Sequence, residues 1–263
     1  EIMALNCRYE ILRFPNECTS LAVLPERMVG NEMILAQNWD YRPFTLDNTV
    51  IIHITYPDNT RILGIAEAGQ LVRNGFNTHG IGICANSIKS IHDYKGVGVP
   101  VTFLRRKLLT CKSFEEALDL VESTPRTVSN NIMLAAADGS AVNLELTPNK
   151  IFRLYPKDGI IAHANHIVSD ETIDASKGEK NRDKRLYDLL AKYDKKISIG
   201  YIKECFRDHE GYPESICSHN PEGNTDFNLM WQTNASVIYV LNENTAHICY
   251  GPPCEGEYVE YRL

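Results

Sequence analysis

The chain has 263 residues, 43% of them hydrophobic and 23% charged, with a formal net charge of −7 and a sequence pI near 5.6. This is an ordinary globular composition, enough for one large domain or two small ones, and it carries no basic run of the kind that nucleic-acid binding needs. No apolar run reaches the roughly 18 residues of a membrane helix. No secretory leader opens the chain. It starts at Glu1 rather than Met, so residues upstream are expected to be missing or removed.

Taken in order, short apolar or alternating runs dominate, which is the pattern of half-buried and buried strands. Strands are expected over Ile2–Leu12, Cys18–Leu24, Met33–Gln37, Thr49–Tyr56, Arg61–Ala66 and Ile81–Ala85, separated by turn signals such as Phe14-Pro15-Asn16 and Pro57-Asp58-Asn59. Two helices follow. The first covers Pro100–Leu109, and the second is opened by the capping box Ser113-Phe114-Glu115-Glu116 and closed before Pro125. Strands resume at Asn131–Ala137, Ala141–Leu146, Ile151–Leu154 and Ile160–His163. A second helical pair spans about 181–193 and 199–207, and the chain ends in strands at Val237–Leu241, Ala246–Tyr250 and Tyr258–Tyr261. Strands, two helices, strands, two helices, strands is the order of an α+β fold made of two stacked antiparallel sheets with helices on their outer faces. Asp170–Asp183 reads as the most mobile loop, and Gly96-Val97-Gly98 as a loop without the strand–turn–helix setting of a phosphate site.

The eight cysteines are scattered and form no C-x-x-C pair, so zinc-finger spacing is absent and most read as reduced, buried thiols of a cytoplasmic-type protein. The sequon Asn234-Ala235-Ser236 allows secretion without arguing for it. The C-terminal Tyr261-Arg262-Leu263 half-matches a peroxisomal tripeptide, with Tyr a poor first residue for one.

Cys18 heads a strand in Cys18-Thr19-Ser20, and Gln37-Asn38-Trp39-Asp40 ends the following apolar run. A small core residue is the ordinary reading of a lone cysteine at a strand start. A cut at the Glu17–Cys18 bond gives it another role. The freed α-amine, with a pKa of about 7.7–8.0, takes the thiol proton, so that nucleophile and base lie in one residue. Asp40 reads either as a solvated turn residue or as the carboxylate that holds the protonated amine. Asn165, in His163-Ala164-Asn165-His166, suits an oxyanion donor. The competing reading is a metal held by His163 and His166, which has no third and fourth ligand nearby in sequence. Cys84 and Cys217 have no local base or acid to make them nucleophiles.

With these residues the chain resembles the acyl-coenzyme A:isopenicillin N acyltransferase family, a branch of the N-terminal nucleophile hydrolases that includes insect hydrolases of β-alanyl-dopamine and carcinine. The resemblance runs nearly end to end. It rests on Ala4–Glu10, Cys18-Thr19-Ser20, Gln37–Asp40, Glu67-Ala68-Gly69, Gly75-Phe76-Asn77, Gly96–Pro100, Leu144–Pro148, His163–His166, Asn181-Arg182 and Tyr212–Cys217, in that order. It implies a four-layer αββα sandwich and self-cleavage before Cys18. Residues 1–17 then end a small chain or propeptide, which stays paired with a large chain, 18–263. It implies Cys18 as nucleophile, Asp40 as its electrostatic partner, Asn165 as oxyanion donor, and Asn86 or its neighbour Ser87 as the source of a backbone N–H to the same hole. Arg182 corresponds to an active-site arginine of bile-salt and penicillin V hydrolases. Thr147 falls where the family often has a Ser near the cleavage site, and Ser215 on a Ser that the fungal acyltransferase needs. The family usually has Gly where this chain has Glu17, and it carries further residues upstream of Glu1.

The expected activity is therefore hydrolysis or acyl transfer on a small N-acyl amine, without cofactor or metal, with an acyl-CoA as the alternative acyl donor. A non-maturing, non-catalytic relative that keeps the sandwich is the rival reading. Neither nucleic acid nor membrane is an expected partner.

Overall fold

The computed structural model describes residues 1–12, 17–178, 180–227 and 230–263, with the side chains of Leu12 and Glu17 outside the description. Thirteen strands form two sheets in which every strand pair is antiparallel. The first sheet contains β1 (Glu17–Val23), β2 (Ile34–Tyr41), β10 (Ile160–His163), β11 (Gln232–Val240), β12 (Thr245–Tyr250) and β13 (Tyr258–Arg262), in the order β10-β1-β2-β11-β12-β13. The second runs β3 to β9 in sequence order: Thr49–Thr55, Arg61–Glu67, Asn74–Asn77, Ile81–Asn86, Asn130–Ala136, Ala141–Leu146 and Ile151–Leu154.

Strand alternation divides each sheet into an inner and an outer face. Cys18, Ala22, Leu35, Trp39 and Tyr239 of the first sheet meet Leu63, Phe76, Cys84 and Met133 of the second in the central core. The opposite face of the first sheet, with Leu21, Val23, Ile34 and Ala36, packs on Leu186, Leu190, Ile202 and Phe206. Those residues belong to helices α5 (Arg182–Ala191) and α6 (Ile199–Phe206). The outer face of the second sheet is covered by α3 (Val101–Leu108) and α4 (Phe114–Ser123), through Leu104, Leu108, Ala117 and Val121. The result is the expected αββα sandwich. Among the described residues, no helix is long and apolar enough to cross a membrane.

Ser113 caps α4 by accepting from the Glu116 N–H at 3.1 Å. Glu116 reaches back to the N–H of Lys112, one residue earlier than the reciprocal box requires.

Three expectations need correction. Ile2–Leu12 is not a strand but two short helices, α1 (Ile2–Asn6) and α2 (Arg8–Leu12). Its apolar residues have no sheet edge to join; Ile2, Met3 and Ile11 are exposed. The segment is tied to the loop after β4 instead, with Asn6 donating to the Gly69 carbonyl and accepting from the Leu71 N–H. Strand β5 escaped the sequence because Asn74-Gly75-Phe76-Asn77 has no apolar alternation. Gly75 lies opposite Gly64, where a Cβ would sit 2.2 Å from the Asn74 carbonyl oxygen. Of the expected loop Asp170–Asp183, Arg182 and Asp183 open α5, and the first half is held down: Ile91 donates to Ile173, Ala175 donates to Lys89, and Asp174 accepts from the N–H groups of Ile167 and Ser176.

Candidate functional site

Antiparallel pairing brings the head of β1 against the end of β2, with Glu17 opposite Asp40 and Cys18 opposite Trp39. Alternation then sends the Cys18 side chain into the core between the sheets and the Asp40 carboxylate to the other face, toward α5. There the Arg182 guanidinium donates from Nη1 to Asp40 Oδ2 at 3.0 Å and from Nη2 to Asn165 Oδ1 at 2.8 Å. Asn165 Oδ1 also accepts the backbone N–H of Cys18 at 2.6 Å. The second Asp40 oxygen takes the hydroxyl of Thr233, at 2.6 Å, from the facing strand β11. Asp40, Arg182 and Thr233 are all fully or nearly fully buried. Each charge therefore requires its partner, since an unpaired buried ion is strongly unfavourable.

Burial pushes the Cys18 thiol up to about 12, the nearby Asp40 carboxylate adds to the rise, and hydrogen bonding from the Asp40 backbone with the fields of Arg182 and Arg73 opposes it. At neutral pH the sulfur is therefore a protonated thiol, which must give up its proton before it can attack. It faces a narrow cavity, with about 10 Å³ free, lined by Cys18, Trp39, Arg73, Asn74, Ser87 and Arg105. That is room for roughly one water. Arg105 donates to Asn130 Oδ1, and its burial lowers its pKa to about 10. Arg73 lies over the Trp39 ring and pairs with Glu67 at 3.1 Å. The Tyr9 hydroxyl meets Ser87 Oγ at 2.6 Å, and the Arg105 guanidinium lies over the Tyr9 ring, so α2 closes this side of the cavity.

The sequence-derived residues separate into two groups. Cys18, Asp40, Asn165 and Arg182 share one hydrogen-bonded cluster. Asn165 donates one amide N–H to the Ser87 carbonyl at 2.9 Å, which leaves its second N–H on the side chain that meets Cys18. Of the two neighbours, Ser87 lines the cavity; Asn86 lies beneath it, donating to Ser20 Oγ and accepting from Gln37. Thr147 is engaged elsewhere, its hydroxyl accepting the Lys150 N–H in the turn from β8 to β9. The Ser215 hydroxyl donates to the Cys217 carbonyl at 2.6 Å. The backbone of Glu17 pairs with Asp40, and its side chain lies outside the described residues. Arg73, Arg105 and Thr233 were not legible from sequence: the arginines sit outside any recognisable motif, and Thr233 meets Asp40 only through the register of β11 on β2.

His163 and His166 face different carboxylates. His163 Nε2 is 2.9 Å from Glu145, and its Nδ1 contacts the Ala164 carbonyl. His166 lies 3.7 Å from Asp183 instead, and burial lowers its pKa. Glu145 is held below the usual carboxylate range because the bond to His163 and those from Ser169 and Val168 outweigh its burial. The sequon asparagine, Asn234, is buried in β11 and donates to the Arg42 carbonyl and Thr45 hydroxyl.

A family model described as acyl-coenzyme A:6-aminopenicillanic acid acyl-transferase matches residues 27–255. The chain belongs to that family. The match includes Asp40, Asn165 and Arg182 and begins after Cys18. A curated relative, the 40 kDa form of acyl-coenzyme A:6-aminopenicillanic-acid-acyltransferase from Emericella nidulans, is 26% identical over 249 residues, which cover 88% of this chain and 67% of that one. Solved structures share the fold of the N-terminal nucleophile hydrolases. A Caenorhabditis elegans N-acylethanolamine-hydrolyzing acid amidase ortholog superposes with a TM-score of 0.59 at 16% identity, covering 86% of this chain and 93% of that one. A conjugated bile acid hydrolase from Clostridium perfringens gives 0.60 at 13%, covering 94% and 97%. Penicillin V acylase from Agrobacterium tumefaciens gives 0.59 at 13%, covering 89% and 83%. The family and the curated relative are described as acyltransferases, and the solved structures with this fold are of hydrolases and an acylase.

Proposed function

We propose that this chain is a thiol amidohydrolase or acyltransferase for a small N-acyl amine, matured by cutting its own Glu17–Cys18 bond. The observation that carries this reading is the Cys18 backbone nitrogen, held by Asn165 beside the Asp40–Arg182 pair. That nitrogen becomes the α-amine after a cut, and the cluster around it is built to bind and orient a charged amine. Maturation starts when the Cys18 sulfur attacks the Glu17 carbonyl and the thiol proton passes to the Cys18 nitrogen, which departs as the amine when the C–N bond breaks. The acyl group moves from nitrogen to sulfur, and water then hydrolyses the thioester, leaving the Glu17 carboxylate, the free thiol and the free α-amine. Residues 1–17 remain as a small chain beside the large chain 18–263.

In turnover the α-amine takes the thiol proton while the sulfur attacks the substrate carbonyl. The second Asn165 N–H and a backbone N–H at Ser87 meet the developing oxyanion. Collapse returns the proton from the α-ammonium to the departing amine and leaves a thioester on Cys18. Water, or an acceptor amine, attacks that thioester and regenerates the thiol. Asp40 balances the α-ammonium, and Arg182 keeps Asp40 and Asn165 in register. Because the family name refers to an acyl-CoA donor, entry of the acyl group from a thioester rather than an amide is the second reading. Both readings use the same thiol.

The test is the intact mass of active protein combined with a mass-spectrometric screen of N-acyl amines and acyl-CoA thioesters. Two chains divided before Cys18 and turnover abolished in Cys18→Ala are the expected results. An active enzyme with an uncut Glu17–Cys18 bond would falsify the α-amine mechanism.

A further inference from the structure

We infer that this protein carries a second, separate site: a four-ligand metal centre formed by His209, Cys217, His219 and Cys254, of the kind that takes Zn²⁺. One ligand atom from each residue lies within 4.8 Å of every other. Cys217 Sγ and Cys254 Sγ are 3.6 Å apart, and His219 Nε2 is 3.5 Å from the first and 3.3 Å from the second. The Nε2 atoms of His209 and His219 are 3.0 Å apart. A tetrahedral ion with about 2.3 Å to sulfur and about 2.0–2.1 Å to nitrogen sets ligand–ligand edges of roughly 3.8 Å (S–S), 3.5 Å (S–N) and 3.3 Å (N–N). These four distances lie within a few tenths of an ångström of those values.

The outer partner is present as well. His219 Nδ1 lies 3.6 Å from a Glu255 carboxylate oxygen, which is placed to draw the Nδ1 proton while Nε2 faces the thiols. Two thiolates and two imidazoles in a tetrahedron select Zn²⁺ over oxygen-preferring cations.

The sequence holds the signature in an unusual form: His209 and Cys217 separated by seven residues, Cys217-Ser218-His219, and Cys254 far downstream. The ligands come from the segment after α6 and from the loop joining β12 to β13, so the ion clips two stretches that are distant in sequence. It is not a reacting centre. Its neighbour Ser218 takes the Thr233 N–H and donates its own N–H to Thr233 Oγ1, and that hydroxyl in turn holds Asp40. The clip therefore steadies the wall behind Asp40.

The test uses the full chain, reduced, stripped with chelator and titrated with Co²⁺ alone, followed by displacement with Zn²⁺. Expected are tetrahedral Co²⁺ absorption with thiolate charge-transfer bands that saturate at one ion per chain, and quenching by Zn²⁺. Binding requires both thiols to lose their protons to buffer, so affinity rises with pH. Cys254→Ser and His209→Ala both alter exposed residues. Each should weaken binding at least 100-fold, and Glu255→Gln roughly 10–100-fold. Cys18→Ala should bind the ion as the unaltered chain does. Absence of tetrahedral bands at stoichiometric Co²⁺, or bands unchanged in Cys254→Ser, overturns the proposal. A Cys217–Cys254 disulfide, lighter by a pair of hydrogens, in protein that takes up no metal after reduction overturns it too. None of these readouts depends on turnover, so the site stands or falls apart from the proposed reaction.

Discussion

Cys18 and the Cys217–Cys254 pair are thiols in one molecule whose surroundings prepare them for different chemistry. Cys18 is buried at a strand head beside a carboxylate, two guanidinium groups and its own backbone nitrogen, with no imidazole among the residues lining its cavity. Cys217 and Cys254 instead have two imidazole nitrogens within or near contact distance. A thiol that must attack a carbon needs a proton acceptor which then gives the proton back. Thiols that hold a metal need neighbours that donate electron pairs and remain in place. The contrast shows that cysteine chemistry is assigned by neighbours, not by burial, because Cys18 and Cys217 are both essentially inaccessible.

The most severe way to break this contrast is Cys18→Ala. Turnover should fall by at least roughly 10⁴ and the chain should remain uncut, read by steady-state kinetics and intact mass. A slightly smaller effect concerns thiol reactivity. With the Cys18 thiol near 12 in the uncut chain, about 10⁻⁴ of it is thiolate at pH 8, rising tenfold per pH unit up to that value. Iodoacetamide should therefore label Cys18 at least 100-fold faster in the matured protein, where the α-amine shares the proton, than in uncut chain at the same pH. Peptide mapping of the label separates Cys18 from Cys254, and equal rates at Cys18 in both forms would remove the α-amine from the account.

Asn165→Ala should lower kcat by roughly 10²–10³ with little change in KM, since an oxyanion donor acts mainly in the transition state. Asp40→Asn should cost about 10² or more in kcat. It also removes the buried negative charge that Arg182 faces, so stability should drop by about 3–5 kcal/mol in urea denaturation. A variant with normal turnover and normal stability would mean that the Asp40–Arg182 pair orients nothing. The mildest change lies away from both thiol regions. Ser113→Ala removes the α4 cap and should destabilise by about 0.5–2 kcal/mol while kcat stays within experimental error. A matching loss of activity would show that the site is sensitive to general loosening of the sandwich.

Local pattern alone determined most of the strands, four of the helices, the sandwich and the Cys18 strand head. Alternation, apolar runs, turn residues and the Ser113 cap are properties of a few neighbouring residues, and they need no distant partner to be read. The same pattern misled at Ile2–Leu12, because an apolar stretch becomes a strand only where a sheet edge accepts it. It was silent at β5, where close backbone approach at Gly64 and Gly75 replaces side-chain alternation. Local pattern also offered Asp40 and Asn165 as candidates, and resemblance added Arg182. Only the tertiary structure decided that Arg182 bridges the other two, that Thr233 takes the second Asp40 oxygen and that Arg73 and Arg105 flank the thiol. It also decided that His209, Cys217, His219 and Cys254 converge. Those meetings join residues up to 193 positions apart. The Asp40–Thr233 meeting is set by the register of β11 on β2, and a one-residue slip there would turn the Thr233 side chain to the opposite face; the others depend on where helices and loops pack against the sheets.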